Sequence, residues 1–428
     1  MRTSIRGWAG GVLVTVALTT FGLVRPADGS LPFFLLLALA STGYLATLSQ
    51  LVKGLRPSGR TLVLCAAVAL VWRVPMVLAP PEPAADLRRY LWDAHLVRAG
   101  LSPYDVVPAD PAVAGLRTAE NWPVNNPEVP SPYPPAAQLF FLLATAMSET
   151  ARAIKVTALV CDAFLALVVW RSLLATGGNP GWVLAYLFSP LVSLEIARHG
   201  HLDVAGALLL AVAALALVRG RALLGSVALA LSIAVKPLPI VLLPLLWRRI
   251  SLRHVGAGLV VLAALYVPFR SGRGLPIGSV PDVIARFRFN GPVFSTAAAL
   301  AGPKAATLLA IAAGLAIAVR ARRRHALGSP TAWAWPMAAT LVAAPLVYPW
   351  YLVWLAPFLV ALGTMPLALW TVSILGTYVV WARVDGAWEV PVWALLVEYG
   401  ALVAGALWLW RRGRSSNAPR SVLPSESS

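Results

Sequence analysis

Apolar residues along this chain fall in long blocks, near the roughly 20 residues that carry a helix across a bilayer, separated by short breaks holding arginine, proline or glycine. The blocks cover residues 8–24, 31–52, 61–79, 156–174, 181–197, 202–218, 221–236, 254–269, 303–319, 331–347, 366–382 and 391–410, with shorter stretches at 239–247 and 351–363. No alternation of apolar and polar positions runs through them, which excludes an outer-membrane barrel. The pattern predicts an all-α fold, a polytopic transmembrane helix bundle of about 12 to 14 segments. The first block follows Arg2 and Arg6 in the manner of a signal sequence, but Pro26-Ala27-Asp28 makes a poor cleavage site, so it reads as a retained helix.

Composition agrees: of 428 residues, 59% are hydrophobic and 12% charged, and a soluble globular domain is ruled out. The net charge of +18, from 35 basic and 17 acidic residues, does not point to nucleic acid, because most of the arginine sits at the ends of apolar blocks. One assignment places Lys53, Arg56, Arg60, Arg171, Arg219, Arg221, Arg248, Arg249, Arg253, the stretch from Arg320 to Arg324, and Arg411, Arg412 and Arg414 all on the cytoplasmic side. Both termini are then cytoplasmic. The apolar stretch 134–150 cannot be a full span in that scheme, and should lie in the outer interface or re-enter the membrane. Outside fall the loop 80–133, the sequence His199-Gly200-His201-Leu202-Asp203, the turn Lys236-Pro237 and the loop 270–292. The chain divides into N-terminal transmembrane helices (1–79), an outer catalytic loop with short amphipathic, interfacial helices (80–150), a transmembrane catalytic module (151–410) and a basic cytoplasmic tail (411–428). The two cysteines, Cys65 and Cys161, form no disulfide framework, and no glycine-rich phosphate loop suggests a nucleotide-driven pump.

Chemistry concentrates in the outer loops. Seven acidic residues fall between Glu82 and Glu128, in a segment rich in Trp, Tyr and Pro and so expected to be ordered. Residues 86–100 read as an amphipathic helix with Leu87, Tyr90, Leu91, Ala94 and Val97 on its apolar stripe and Gly100 as its stop. Asp86 at its start reads either as a functional carboxylate or as an N-cap, the latter weighing more on sequence alone, and Asp93 as an i, i+4 partner of Arg89. Ser102-Pro103-Tyr104-Asp105 is a turn, and Ser131-Pro132-Tyr133-Pro134-Pro135 a rigid entry into the next segment. Lys236, between an apolar helix and Pro237, is a candidate phosphate ligand, as are Arg270, Arg273, Arg286 and Arg288, which break the positive-inside pattern. His199-x-His201-x-Asp203 admits a divalent metal reading, but the i, i+2 spacing suits a sugar or phosphate contact better. Asp162, Glu195 and Glu398 at membrane depth suggest either pairing within the bundle or the alternative function, a secondary transporter or lipid flippase. A transporter should show two related halves, and no internal repeat appears.

The string DLRRYLWDAHLVRAGLSPYDVVPADPAV, followed by WPVNNPEVPSPYPPAAQLFF, resembles the first outer loop of the GT-C superfamily of integral-membrane glycosyltransferases, closest to bacterial polyprenyl-phosphate-mannose-dependent mannosyltransferases. The resemblance continues through GHLDVAGALLLAVAALALVRGRALLGSVALALSIAVKPLPIVLLPLLWRR and APLVYPWYLVWLAPFL, and departs at Asp93-Ala94-His95, where a glycine and then a basic residue would follow the aspartate. It implies a GT-C fold and an inverting hexosyltransferase, with mannose as the sugar moved, acting in glycolipid biosynthesis of the cell envelope. The enzyme would sit in a bacterial inner membrane with its site on the outer side, use a polyprenyl-phosphate donor and a lipid-linked or glycan acceptor, and have Asp86 as general base. Candidate substrate contacts are Tyr90, Trp92, Asp93, Tyr104, Tyr133, His201, Asp203, Tyr348 and Tyr351.

Overall fold

The computed structural model describes residues 5–81, 86–270, 277–383 and 388–416. Arg2, Glu82, Arg273 and the tail from residue 417 lie outside them. Among the described residues the chain is helical, in the order α1 (Ile5–Val24), α2 (Leu31–Val52), α3 (Gly59–Leu78), α4 (Leu87–Arg98), α5 (Pro135–Ala144), α6 (Ala151–Ala175), α7 (Val183–Leu187), α8 (Pro190–Val192), α9 (Asp203–Val218), α10 (Ala222–Val235), α11 (Leu243–Leu246), α12 (Leu252–Tyr266), α13 (Val280–Arg286), α14 (Pro292–Ala301), α15 (Pro303–Arg324), α16 (Pro330–Val342), α17 (Met365–Ser373) and α18 (Val392–Ser416).

Helix boundaries follow local chemistry. Ser30 and Ser58 accept hydrogen bonds from Phe33 N and Thr61 N, so α2 and α3 begin with their free N–H groups satisfied. Among the described residues, seven helices are long and apolar enough to cross a membrane, eight if the bent pair Pro180–Leu187 and Pro190–Arg198 is one span. Several of the expected 12 to 14 segments are shorter than a full span: α9 and α10 have only 16 and 14 residues, and prolines break the run after Tyr348 into short 3-10 turns. The bent pair turns by 52° at Ser189-Pro190 and ends in a π-helical turn, Ser193–Arg198. As expected, the stretch after Pro134 is not a span: α5 has 10 residues, about 15 Å of helix.

Buried charges inside the bundle are paired. Arg73 Nε lies 2.7 Å from Asp162 Oδ2, Tyr186 donates to Asp162 Oδ1 at 2.5 Å, and Arg73 also donates to Leu187 O. Lys155 donates to the carbonyls of Met76 and Ala79 at 2.7 and 2.8 Å, closing the C-terminus of α3 where the loop toward α4 begins. Glu398 accepts from Trp370 Nε1 and Asn290 Nδ2 at 2.7 and 3.1 Å. The intramembrane carboxylates singled out as transporter signals thus have partners within the fold.

Candidate active site

The loop after α3 is tied down by α4. Arg89 donates to Asp93 Oδ1 at 3.1 Å and twice to Val129 O, and Arg88 donates to Trp122 O. Ser131 and Gln138 also donate to Asp93 Oδ2. Asp93 is therefore fully enclosed by protein donors, and Trp92 is fully buried against Leu96, Val124 and Trp122. Both side chains, expected as substrate contacts, are engaged by the protein itself and hold the loop in shape.

Asp86 is different. Its backbone is already helical (φ −58°, ψ −18°) and its side chain makes no capping bond, so the N-cap reading is not what the fold uses. Oδ1 instead accepts from Asn125 Nδ2 at 3.2 Å, and Oδ2 lies 3.9 Å from His201 Nδ1, with the side chain 23% exposed. Burial pushes this carboxyl above the usual aspartate range, against the pull of the Lys236 ammonium and the Asn125 amide, and the Asp203 charge adds to the push. Burial likewise raises the nearby Tyr90 and Tyr133 hydroxyls well above the ordinary tyrosine range. Tyr90 stacks on Phe141, Tyr133 packs edge-on to Tyr90, and the Tyr104 hydroxyl donates to Tyr133 O at 2.8 Å.

The opposite wall is built by α9 and α10. Lys236, where α10 ends before Pro237, sets Nζ 2.8 and 2.9 Å from the two oxygens of Asp203 and 4.6 Å from the centre of the Tyr351 ring. Asp203 also accepts from Trp354 Nε1 at 2.6 Å. Gly206, one turn along α9, makes this possible: a Cβ there would sit 2.0 Å from the Trp354 ring. Before α9 the chain turns at Gly200 (φ +69°), which sets His201 against Trp350, ring centres 4.2 Å apart. Trp350 continues the stack onto Tyr348 at 4.3 Å and Tyr348 onto Phe289 at 4.5 Å. Burial, with His199 and Lys236 alongside, holds the His201 imidazole well below its usual range and hence neutral.

Two residues that sequence reasoning left out of the site belong to it. Asn125 is the hydrogen-bond partner of Asp86, and Glu195 lies 3.3 Å from His201 Nε2 while accepting from Tyr378 at 2.8 Å. Of the candidate phosphate arginines, Arg286 pairs with Asp282 within α13, Arg288 donates to Phe287 O and Ala285 O, and Arg270 is exposed. Among the described residues, no three His, Cys, Asp or Glu side chains converge as a metal ligand set.

A carboxyl held above its usual range by burial, with a lysine ammonium close enough to pull it back and tyrosine and tryptophan rings around it, suits general-base attack by a hydroxyl at a centre whose leaving group is an anion. No curated protein matches this chain significantly. Among solved structures, the crystal structure of ArnT from Cupriavidus metallidurans bound to undecaprenyl phosphate aligns over 82% of this chain and 76% of that one, with 13% identity and a TM-score of 0.47. Residues 4–250 match the model of the family described as alpha-(1→6)-mannopyranosyltransferase, N-terminal domain, and the chain belongs to this family of membrane glycosyltransferases.

Proposed function

We propose that the protein transfers mannose from a polyprenyl-phosphate donor to the hydroxyl of a lipid-linked or glycan acceptor at the outer face of the membrane. The observation that carries this reading is that Asp86, a partly exposed carboxyl on the loop helix, lies within electrostatic reach of the Lys236–Asp203 ion pair. Asp86 takes the acceptor proton as the new bond to the anomeric carbon forms, and the bond from that carbon to the phosphate oxygen breaks with its electron pair leaving on phosphate. Lys236 meets the charge that develops there, its ammonium held over the Tyr351 ring and fixed by Asp203. A single displacement inverts the configuration at the anomeric carbon. Tyr133, Tyr348, Tyr351 and His201, which neighbour Asp86 or Lys236, are the candidate sugar contacts; Arg270, Arg286 and Arg288 remain candidates for a donor phosphate approaching from the loop.

The test is transfer by the purified protein from polyprenyl-phosphate mannose to mannoside acceptors such as octyl α-mannoside. Asp86→Asn should lose turnover by about 10²-fold or more while still purifying and binding donor. Near-normal transfer by that variant would overturn the base assignment.

A further inference from the structure

A groove of about 300 Å³ lies between α1 and α3, with Thr47 of α2 and the rings and methyls of Leu184 and Phe188 behind it. Its rims are open to the surroundings of the bundle: Val12 on α1 is 59% exposed and Leu64 on α3 is 56% exposed. Its walls make no polar demand. The Thr15 hydroxyl donates to Gly11 O and that of Thr47 to Gly43 O, each one turn back in its own helix, and the Thr61 hydroxyl pairs with Ser58 Oγ at 2.9 Å. Hydroxyls already satisfied ask nothing of an occupant, so the groove suits hydrocarbon rather than a polar ligand. Along α3 it runs from Thr61 to Val68, about 10 Å, where one leaflet holds about 15 Å of hydrocarbon.

One end of the groove carries charge. Leu55 and Pro57, in the loop joining α2 to α3, close that end, and Asn179 steadies the loop by donating to Leu55 O at 2.7 Å. Arg56 lies between these two lining residues and Arg60 directly before Thr61, and both are exposed, as is Lys53. No acidic residue occurs from Gly29 to Pro81, so the two helices and their loop supply no counter-charge of their own.

We propose that this groove binds an anionic phospholipid of the adjoining leaflet, one acyl chain lying between α1 and α3 and the phosphate meeting Arg56 and Arg60. Basic loops and furrowed lipid-facing helices are each common in membrane proteins, and either alone selects no particular lipid. Here the cationic loop closes the end of an apolar groove, which is the order of headgroup and chain in a phospholipid. The site stands apart from the transfer chemistry: α3 has 20 residues, about 30 Å of helix, and the groove takes its start, whereas the loop toward Asp86 leaves from its far end.

The test uses the purified full-length protein in phosphatidylcholine nanodiscs holding a low fraction of phosphatidylglycerol with a diazirine in one chain. After irradiation, mass spectrometry of the digest should place the label on residues 11–16 and 61–68, about tenfold or more above that from phosphatidylcholine carrying the same diazirine at the same fraction. Arg56→Gln with Arg60→Gln should lower the yield by about tenfold or more, and Arg219→Gln with Arg221→Gln, which removes as much charge from another basic loop, should leave it unchanged. Leu64→Trp and Val16→Trp, from opposite rims, fill the groove without altering charge and should each cut the yield by a similar factor; circular dichroism checks that helix content is kept. Equal labelling by the two lipids, an equal loss from the Arg219 and Arg221 pair, or full labelling of both tryptophan variants would overturn the proposal. So would displacement of the label by polyprenyl phosphate more readily than by unlabelled phosphatidylglycerol, or a disulfide joining two copies through Leu64→Cys, which would give the groove to a donor lipid or to a second chain.

Discussion

Lys236 and Asp203 do not share their burden equally. The lysine keeps 19% of its side chain accessible, while the carboxylate is fully buried and depends on Lys236 and Trp354 for its hydrogen bonds. Removing the lysine therefore strands a buried anion, which costs about 3–5 kcal/mol, whereas removing the anion leaves a lysine that can reach water. Lys236→Ala should lower the thermal unfolding midpoint markedly, and the double variant Lys236→Ala with Asp203→Asn should recover most of that loss. In transfer assays both variants should be poor, with Lys236→Arg retaining part of the activity, since it keeps the charge but changes the donor geometry. A double variant as unstable as the single one would show that packing around Tyr351, not charge, is what the lysine supplies. The pH dependence of turnover follows from Asp86. A general base works ionised, and burial raises the pH at which this carboxyl ionises. Turnover should thus rise with pH through a midpoint above that of an ordinary aspartate, and fall on acidification before a solvated carboxylate would; a profile breaking in the ordinary aspartate range would argue against Asp86.

At the level of elements, the most informative contact is between α9 and the broken segment after Tyr348. Gly206→Ala adds only a methyl group, but it would meet the Trp354 ring at 2.0 Å and push the indole off Asp203. The expected result is a loss of transfer with helix content unchanged, read by activity beside far-ultraviolet circular dichroism. Retained activity would mean that the Asp203–Trp354 bond does not set the position of Lys236. Which parts of this arrangement could be read from sequence follows from how far their causes lie along the chain. The span 31–52 was legible to the residue, because an uninterrupted apolar block begins at a capping serine and a proline and both signals are local. The Arg89–Asp93 pair was legible for the same reason. Asn125 and Glu195 were not, since their partners are remote: Asn125 is 39 residues from Asp86, and Tyr378 is 183 residues from Glu195. The N-cap expectation for Asp86 failed because a tertiary partner, the Asn125 amide, draws the carboxylate away from the helix end. Lys236 could be singled out, as a lone charge at a proline break, but its partner Asp203 and the ring of Tyr351 come from two other elements.

Across the whole molecule, the ends of the bundle differ in character. At one end Arg198 pairs with Asp28, His201 faces Asp86, and Phe289 bridges to Leu346. At the other, Asn179 donates to Leu55 O, and Arg249 donates to the carbonyls of Arg322 and His325, drawing together loops that carry Lys53, Arg56, Arg248 and Arg323. The length of α6, 25 residues or about 37 Å, separates the two, enough to put them on opposite sides of a bilayer. Arginine gathered in short loops is retained on the cytoplasmic side, so the end bearing Asp86 should face outward. This can be checked by replacing Cys65 and Cys161 with serine and introducing single cysteines at two exposed positions, Ala109 in the outer loop and Arg323 at the end of α15. In intact cells a membrane-impermeant maleimide should label Ala109→Cys and spare Arg323→Cys, which becomes reactive only after the membrane is opened. The reverse pattern would invert the topology and place the site where a donor presented from the outer leaflet could not reach it.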